Sequence, residues 1–497
     1  MKHATLLLGL ALIVLASGTS DAHGAWKTRN LFTGAAAFPQ ISGLNVTWQG
    51  SASGEDAEIY FYDGQTVTRV TNNSYSDGFP QISGSNVVWQ GEAGDLEIFL
   101  YDGVTTTQVT DDGSTDTYPQ VSGDNIVWRG WDGYDWEVYH YNDGTTTQLS
   151  SNAYSDYDPK ISGSNVVWNG GVSTGAEIYL YNGTTTQLTD NAYADYDPQI
   201  SGSNVVWKGK VDGDWEIFLY NGATTMQLTS NSYEDRNPQV SGSNVVWEGK
   251  VDGDWEIFLY DGVTTTQITD NDSTDWFPQV SDSHVVWQGI VDEDWEIFVY
   301  DGTTITQLTD NNDTDNTPQI SGTNITWRHF NGTTMRILVA TLLGDFDGDG
   351  DVDVVNIDDL CDNMGGDIEI YDVDEDGDVD EDDLLYLVEN LVEWNRGSPP
   401  GDEHGFGTHL GDANLDGIVN GTDLAIMKTK FGQTDTHWSD ANFNCSAYVD
   451  GTDLANMKQY FGRVSPPGGS VPEPATIALL TACGLAMLRR RRSHASH

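Results

Sequence analysis

The chain is 497 residues long and carries 77 Asp and Glu against 21 Lys and Arg, a formal net charge of −56 at pH 7. That length points to more than one domain. The charge excludes nucleic acid as a partner, because no basic surface is present to displace counterions from phosphates. It favours cation binding or solubility, and 38% hydrophobic residues with 17 Trp can still build a core, which argues against wholesale disorder.

Residues 1–22 open with Lys2, run apolar from Ala4 to Ala16 and end in small or polar residues, the pattern of a secretory signal peptide. The apolar run is too short to span a membrane comfortably. An exported protein is therefore expected. The three cysteines, Cys361, Cys445 and Cys483, do not make a disulfide framework. Two readings stand side by side: a single Cys361–Cys445 bridge, or two unpaired small hydrophobes.

From Pro39 to Trp327 one sentence recurs, most cleanly as Asn-Pro-Gln-Val-Ser-Gly-Ser-Asn-Val-Val-Trp at 237–247. Its prolines (Pro39, Pro80, Pro119, Pro159, Pro198, Pro238, Pro278, Pro318) are 39 to 41 residues apart. A period of this length is the primary fold signal. Each copy reads as four short strands of β-branched and aromatic residues. In the fifth copy they are Pro198–Ser201, Asn204–Gly209, Glu216–Tyr220 and Thr224–Thr229. Gly202 sits where a tight hairpin requires positive φ, and Asp282 stands there in the seventh copy. The third strand is apolar on both faces, as in a sheet covered on both sides. Four-stranded sheets sandwiched between neighbours around an axis make a β-propeller. The eighth copy lacks a fourth strand, and Lys27–Thr33 resembles one with no copy before it. The fold class is mainly β: an eight-bladed β-propeller over 24–343, closed by the N-terminal strand. The alternative is seven blades with 318–343 as an addition.

The pattern Leu-Thr, Asp-x-x-Pro-x-x-Ser, Val-Val-Trp, Glu-Ile-Phe-Leu-Tyr-Asp resembles the WD40-like repeat of TolB-type propellers over about residues 27–343, a family that uses the ring mainly as a binding platform. An Asp lies three residues before seven of the prolines: Asp77, Asp116, Asp156, Asp195, Asp235, Asp275 and Asp315. These acids form either a cation-binding ring or bonds within their own loops. Trp136, Trp215, Trp255 and Trp295 either stack sugars or pack between blades; strand parity favours packing. A specific site should be a departure from the repeat. The third copy departs most, at Arg129, Trp131, Asp132, Tyr134 and His140. No Gly-x-Ser-x-Gly elbow, His-Glu-x-x-His or phosphate loop is present, so no catalytic residue is assigned.

Residues 344–392 hold 20 acids and no Lys or Arg. Their spacing is that of calcium loops, with oxygen ligands at alternate positions and a glycine at the sharp turn. The first loop has Asp345, Asp347, Asp349, Asp351, Asp353 and Asn356; the second Asp372, Asp374, Asp376, Asp378, Asp380 and Asp383. The third has Asp412, Asn414, Asp416, the Ile418 carbonyl, Asn420 and Asp423. A fourth is degraded, with less charge and no glycine: Asn442, Asn444, Ser446, Tyr448, Asp450 and Asp453. An amphipathic helix should follow each loop. The cofactor implied is Ca²⁺. The run Gly-Asp-x-Asn-x-Asp-Gly-x-Val-Asn-x-x-Asp-Leu resembles dockerin repeats, grouped as two small α-helical, EF-hand-like modules at 344–392 and 411–463 with a linker at 393–410. That resemblance implies a cohesin-like partner and the company of polysaccharide-degrading enzymes.

After a linker at 464–470 come Pro472-Glu473-Pro474, an apolar run Ala475–Leu488 and Arg489–Arg492. The three parts in this order, over 471–492, resemble the PEP-CTERM sorting signal. The resemblance implies an exosortase-type processing enzyme as a partner and delivery to the bacterial surface or extracellular matrix, with a transient or permanent C-terminal membrane anchor. The expected function is a non-enzymatic binding or matrix protein for a surface protein or polysaccharide. The alternative is a polysaccharide-degrading enzyme or its accessory subunit.

Overall fold

The computed structural model describes residues 26–51, 55–171, 175–348, 350–366, 370–374, 376–396, 403–434 and 436–465. The leader over 1–22, Asp349 and the Pro472-Glu473-Pro474 signal lie outside them. The described chain divides into two compact units, Trp26–Asp351 and the residues from Val352 onward.

The first unit is a ring of eight four-stranded antiparallel sheets. Blade 5 shows the pattern: strand a Asp195–Ser201, b Asn204–Val211, c Asp214–Tyr220 and d Thr225–Gln227. Strand a begins three residues before Pro198, where the sequence pattern places its start. The extra length accommodates a bulge, at which the a–b register shifts between Tyr196 and Gln199. Between blades the core is dry and repetitive. Val206, Ile217 and Leu219 of one blade meet Val245, Trp247 and Phe258 of the next. Each strand-b tryptophan, from Trp48 to Trp327, is at most 1% exposed, so these rings supply much of the apolar area that holds the blades together.

Two devices close the ring. Trp26–Thr33 pairs antiparallel with Met335–Leu342 as the outer strand of blade 8, as the strand count in the repeats implies. On the face that carries the a–b turns, a serine hydroxyl of each blade accepts the turn N–H of the next. Ser42 Oγ accepts from Gly84 at 2.9 Å, Ser241 Oγ from Asp282 at 3.0 Å, and Ser321 Oγ from Gly43 at 2.8 Å, which returns the series to blade 1. Gly202 (φ 60°) and Asp282 (φ 50°) take the left-handed conformation that this turn requires.

The second unit is built from loops that each end in a capped helix: α1 (Val354–Asn363), α2 (Glu381–Tyr386, continued by a wider turn over Leu387–Leu391), α3 (Gly421–Lys430) and α4 (Gly451–Tyr460). Asp353, Asp380, Asn420 and Asp450 cap the helices with complete capping boxes. Residues 393–410, which the Gly/Pro-rich sequence suggests as a linker, contain a two-stranded hairpin, Glu393–Arg396 against Glu403–Phe406. The α3 and α4 halves exchange backbone bonds reciprocally: Gly432 N–H donates to Val449 O and Gly462 N–H to Val419 O, both at 2.8 Å. A Cys361–Cys445 disulfide joins α1 to the fourth loop.

Candidate functional site

The recurring acids are structural. Between blades 5 and 6, Trp247 Nε1 donates to Asp235 Oδ1 (3.1 Å) and Asn231 Nδ2 to Asp235 Oδ2 (2.6 Å). Asn231 N–H donates to Glu216 Oε1 (3.3 Å), and Thr229 Oγ1 to Glu216 Oε2 (2.6 Å). Asp77, Asp195, Asp275 and Asp315 repeat both the Trp and the Asn bond. Each network ties strand c of one blade to strands a and b of the next, so the acids staple neighbouring blades and do not form an open cation ring. In the 2/3 joint, Asp112 stands where the six other Asp-bearing joints have Asn. At the seam between blades 8 and 1, Ala36 replaces the Asp, Trp48 Nε1 has no hydrogen-bond partner, and Phe32 lies 5.9 Å from Trp48 and 4.8 Å from Tyr60 between ring centroids.

Burial dominates the acidity of the staples. It pushes Asp77 up to about 6 and Asp116, Asp156 and Asp235 up to about 7; Asp112 adds to the rise at Asp116. In an unfolded chain these groups titrate near 3.9. Between about pH 4 and 7 the folded state therefore binds more protons, so stability falls as pH rises through that window. With EDTA present throughout, the tryptophan-fluorescence melting temperature of the ring should rise as pH is lowered from 8 to 5, and Asp235→Asn should flatten the slope. A melting temperature that falls on acidification would contradict this assignment.

The variable chemistry is on the opposite face, which carries the b–c hairpins. The residue before each proline has φ between 51° and 55°: Phe38, Phe79, Tyr118, Asp158, Asp197, Asn237, Phe277 and Thr317. A β-bulge at this point in every strand a re-aims one side chain, and strand a is the innermost strand, so these eight residues ring the mouth of the central channel. Phe38 and Phe79 stack with centroids 4.7 Å apart, and Phe79 and Tyr118 lie 5.2 Å apart. Phe38 (45%), Tyr118 (42%) and Phe277 (46%) are exposed. Across the ring stand Asp158, Asp197 and Asn237. Deeper in the channel, Lys160 replaces the glutamine of the other seven copies. Burial pushes its ammonium down, while Asp158 and Asp197 hold it up. Behind the bulge, strand b supplies acceptors: Gln90, Glu248 and Gln288 side chains accept the N–H of Tyr118, Phe277 and Thr317 in the following blade at 2.8 to 2.9 Å.

The patch singled out in the third copy is divided by the structure. Arg129 lies over Tyr118 (4.4 Å), Trp136 (4.8 Å) and Tyr157 (5.4 Å) and donates to Thr117 Oγ1 (3.0 Å), so it backs the mouth. Trp131 packs edge-on against Trp136 at 5.6 Å, and Asp132 and the 89%-exposed Tyr134 form the hairpin tip beyond it. His140 lies toward the other face, its Nε2 3.0 Å from Asn125 Oδ1, and burial lowers its basicity. It does not belong with the other four. Of the Asp-Trp-Glu tryptophans, Trp255 is buried as the packing reading expects, while Trp136, Trp215 and Trp295 are half-buried. Trp255 lies under Arg236 at 3.6 Å, Trp215 contacts Lys208 and Lys210 at 5.2 and 5.6 Å, and Trp295 stacks on Trp276 at 5.0 Å.

In the acidic loops the donor chemistry differs from one to the next. Asp372, Asp374 and Asp376 bring carboxylate oxygens within 4.8 Å of one another. Asp374 is pushed up to about 6, by burial first and then by Asp383, Asp376 and Asp372. Asp378 and Asp380 are exposed, and Asp383 accepts from the backbone of Val373 and Asp380. In the third loop Asp412 accepts from Asp416 and Gly417 N–H, Asp423 from Ala413 and Asn420 N–H, and Asn414 Nδ2 donates to Asp416. The Ile418 carbonyl accepts from Asn420. In the first loop Asp345 is buried and accepts from Thr323, Gly348 and Gly350; Asp347 and Asp351 are exposed. Asp353 and Asn356 form the α1 capping box. The second and third sets are dominated by carboxylate acceptors and suit a hard cation. The fourth loop does not: Asn442 Nδ2 donates inward to Ser446 O (2.6 Å), Ser446 Oγ donates to the Tyr448 carbonyl (2.8 Å), and Asn444 accepts from Ser446 N–H. With Asn and Ser at its first three ligand positions, this loop offers only the carboxylates of Asp450 and Asp453, against Asp412, Asp416 and Asp423 in the third. Asp450 and Asp453 serve the α4 cap.

No family model matches the chain, and no curated protein matches it in sequence. Solved structures resemble it in part. The β-propeller domain of the Trilobed protease from Pyrococcus furiosus is 16% identical over 57% of this chain and 99% of that one, with a TM-score of 0.43. An oligogalacturonate lyase in complex with manganese is 13% identical over 65% of this chain and 98% of its own, at 0.42. A TolB structure from Agrobacterium tumefaciens is 18% identical over 48% and 94%, at 0.31. At these scores none of the three bears on the chemistry of this chain; the eight-bladed ring rests on its own strand pairing.

Proposed function

We propose that the protein is a non-catalytic recognition protein, exported and sorted to the cell surface, that binds its ligand at the channel mouth of the propeller. The observation that carries this reading is the division of labour among repeated positions. The Asp shared by seven blades is committed to staples, while the eight bulge residues, alike in backbone, differ in side chain. A binding platform needs that kind of variation, whereas hydrolysis by paired carboxylates needs two acids free in one cleft. The acidic unit is read as a calcium-held support, with Ca²⁺ in the first three loops and the fourth closed by hydrogen bonds and the disulfide. Processing by an exosortase-type enzyme at Pro472-Glu473-Pro474 would place the whole at the surface or in the matrix. A cohesin-like domain is a further candidate partner for this unit.

The test is capture of cell-surface material from the producing cells by the purified protein. Phe79→Ala with Tyr118→Ala should abolish capture, and Val104→Ser, on the opposite face and 83% exposed, should leave it intact. Equal loss in all variants, or none in the mouth variants, would refute the reading.

A further inference from the structure

Resting on that reading of the mouth, we infer that its ligand is a neutral polysaccharide, with sugar faces laid on the arc Phe38–Phe79–Tyr118 and hydroxyls bonded by Asp158, Asp197 and Asn237. The first support is the conformational cost of the arc. A left-handed φ is inexpensive for Gly, Asn or Asp and costly for a bulky or β-branched side chain, and the residue before proline is restricted further. Three blades use the tolerant residues Asp158, Asp197 and Asn237, but Phe38, Phe79, Tyr118, Phe277 and Thr317 hold the same conformation. Strain of this kind concentrates at binding sites. The rings of Phe38, Tyr118 and Phe277 that bear it are exposed and Phe79 is half-buried, so little of that cost is recovered as core packing.

The second support is charge. Over the whole chain the net charge is −56, which disfavours an anionic ligand. At the mouth, however, the two carboxylates are balanced. Lys208 Nζ lies 2.6 Å from Asp197 Oδ2, and Arg129 and Lys160 oppose the charge of Asp158. A cationic ligand would have to displace these partners and would gain little. What remains is a nearly neutral, half-aromatic and half-polar rim within an acidic surface. A pyranose matches it, since one molecule offers an apolar C–H face to the rings and hydroxyls to carboxylates and an amide. A protein segment could use the rings, but it would leave the balanced acids opposite them without a specific role.

The experiment is native affinity electrophoresis of the full chain in gels containing galactomannan, hydroxyethyl cellulose or polygalacturonate. Retardation is expected in at least one neutral polymer and not in polygalacturonate. Phe79→Ala and Tyr118→Ala should each weaken it about tenfold, the scale of one lost ring contact, with an unchanged melting temperature as the check on folding. No retardation by a neutral polymer, stronger retardation by polygalacturonate, or retardation indifferent to both ring variants would overturn the inference. If the ring variants abolish capture of surface protein while no polysaccharide binds, the carbohydrate assignment falls and the mouth stands. If capture of any kind ignores them, the mouth falls as well.

Discussion

Removing Trp26–Thr33 should abolish the cooperative unfolding transition of the propeller and drive the protein into aggregates. The strand pairs along the whole of Met335–Leu342. Its loss turns that strand into a long unpaired edge, a template for association. It also removes Leu31 from a buried cluster and uncovers its remaining members, Ala36, Trp48, Ile337 and Val339. Each large side chain taken from that cluster is worth about 1.5–3 kcal/mol, and the net stability of a domain is only about 5–15 kcal/mol. The seam lacks the Asp–Trp–Asn staple, because Ala36 stands where the other joints have Asp. Among the polar ties across it are Arg29 to Tyr62 Oη at 2.6 Å, which the deletion also removes, and Gly43 to Ser321 Oγ at 2.8 Å. Phe32→Ala isolates the apolar part and should cost about 3–5 kcal/mol. Calorimetry and size-exclusion chromatography read both variants. An unaltered transition in the deletion would mean that the ring does not close through this strand.

Chelation should produce the second large effect, a lowered melting transition of the acidic unit in the full chain. The second loop brings Asp372, Asp374 and Asp376 within 4.8 Å of one another, and on the proposed reading a cation relieves their repulsion there and in the first and third loops. At a thousandfold excess over its dissociation constant, one bound ion stabilises the folded state by about 4 kcal/mol. Titration calorimetry should find three sites and not four, because the fourth loop has Asn and Ser at its first three ligand positions and only two carboxylates, Asp450 and Asp453. A melt indifferent to EDTA would sink the calcium assignment. A fourth site of comparable affinity would sink the account of the fourth loop.

Much of the ring is legible in the repeat itself. The prolines, glycines and tryptophans mark strand positions, and the missing fourth strand of the last copy announces where the first strand goes. The staples are only half legible. Asp and Trp stand out, but Glu216, Thr229 and Asn231 are recognised as members only once the strands are placed, because their counterparts vary in identity at Asp112 and Ser150 and in spacing at Glu177, Thr189 and Asn191. The bulge is hidden, because a residue before proline is expected to be extended and nothing local reports a left-handed turn there. The proposed patch at Arg129–His140 fails in part for a geometric reason. Residues 11 apart across a hairpin look adjacent in the sequence, yet Arg129 pairs with Val138 at one end of the strand and His140 with Val127 farther along.

The disulfide gives the acidic unit a form of memory. Cys361 and Cys445 lie 84 residues apart, and closing a loop of that length removes chain entropy worth about 4–5 kcal/mol from the unfolded state. A protein stripped of its ions would keep α1 and the fourth loop in register while the remaining loops relax. Returning ions would then meet a chain already tethered near its folded path, and recovery would be fast and repeatable. For the exported, calcium-held unit proposed above, such a tether would let the ions leave and return many times without loss of the fold.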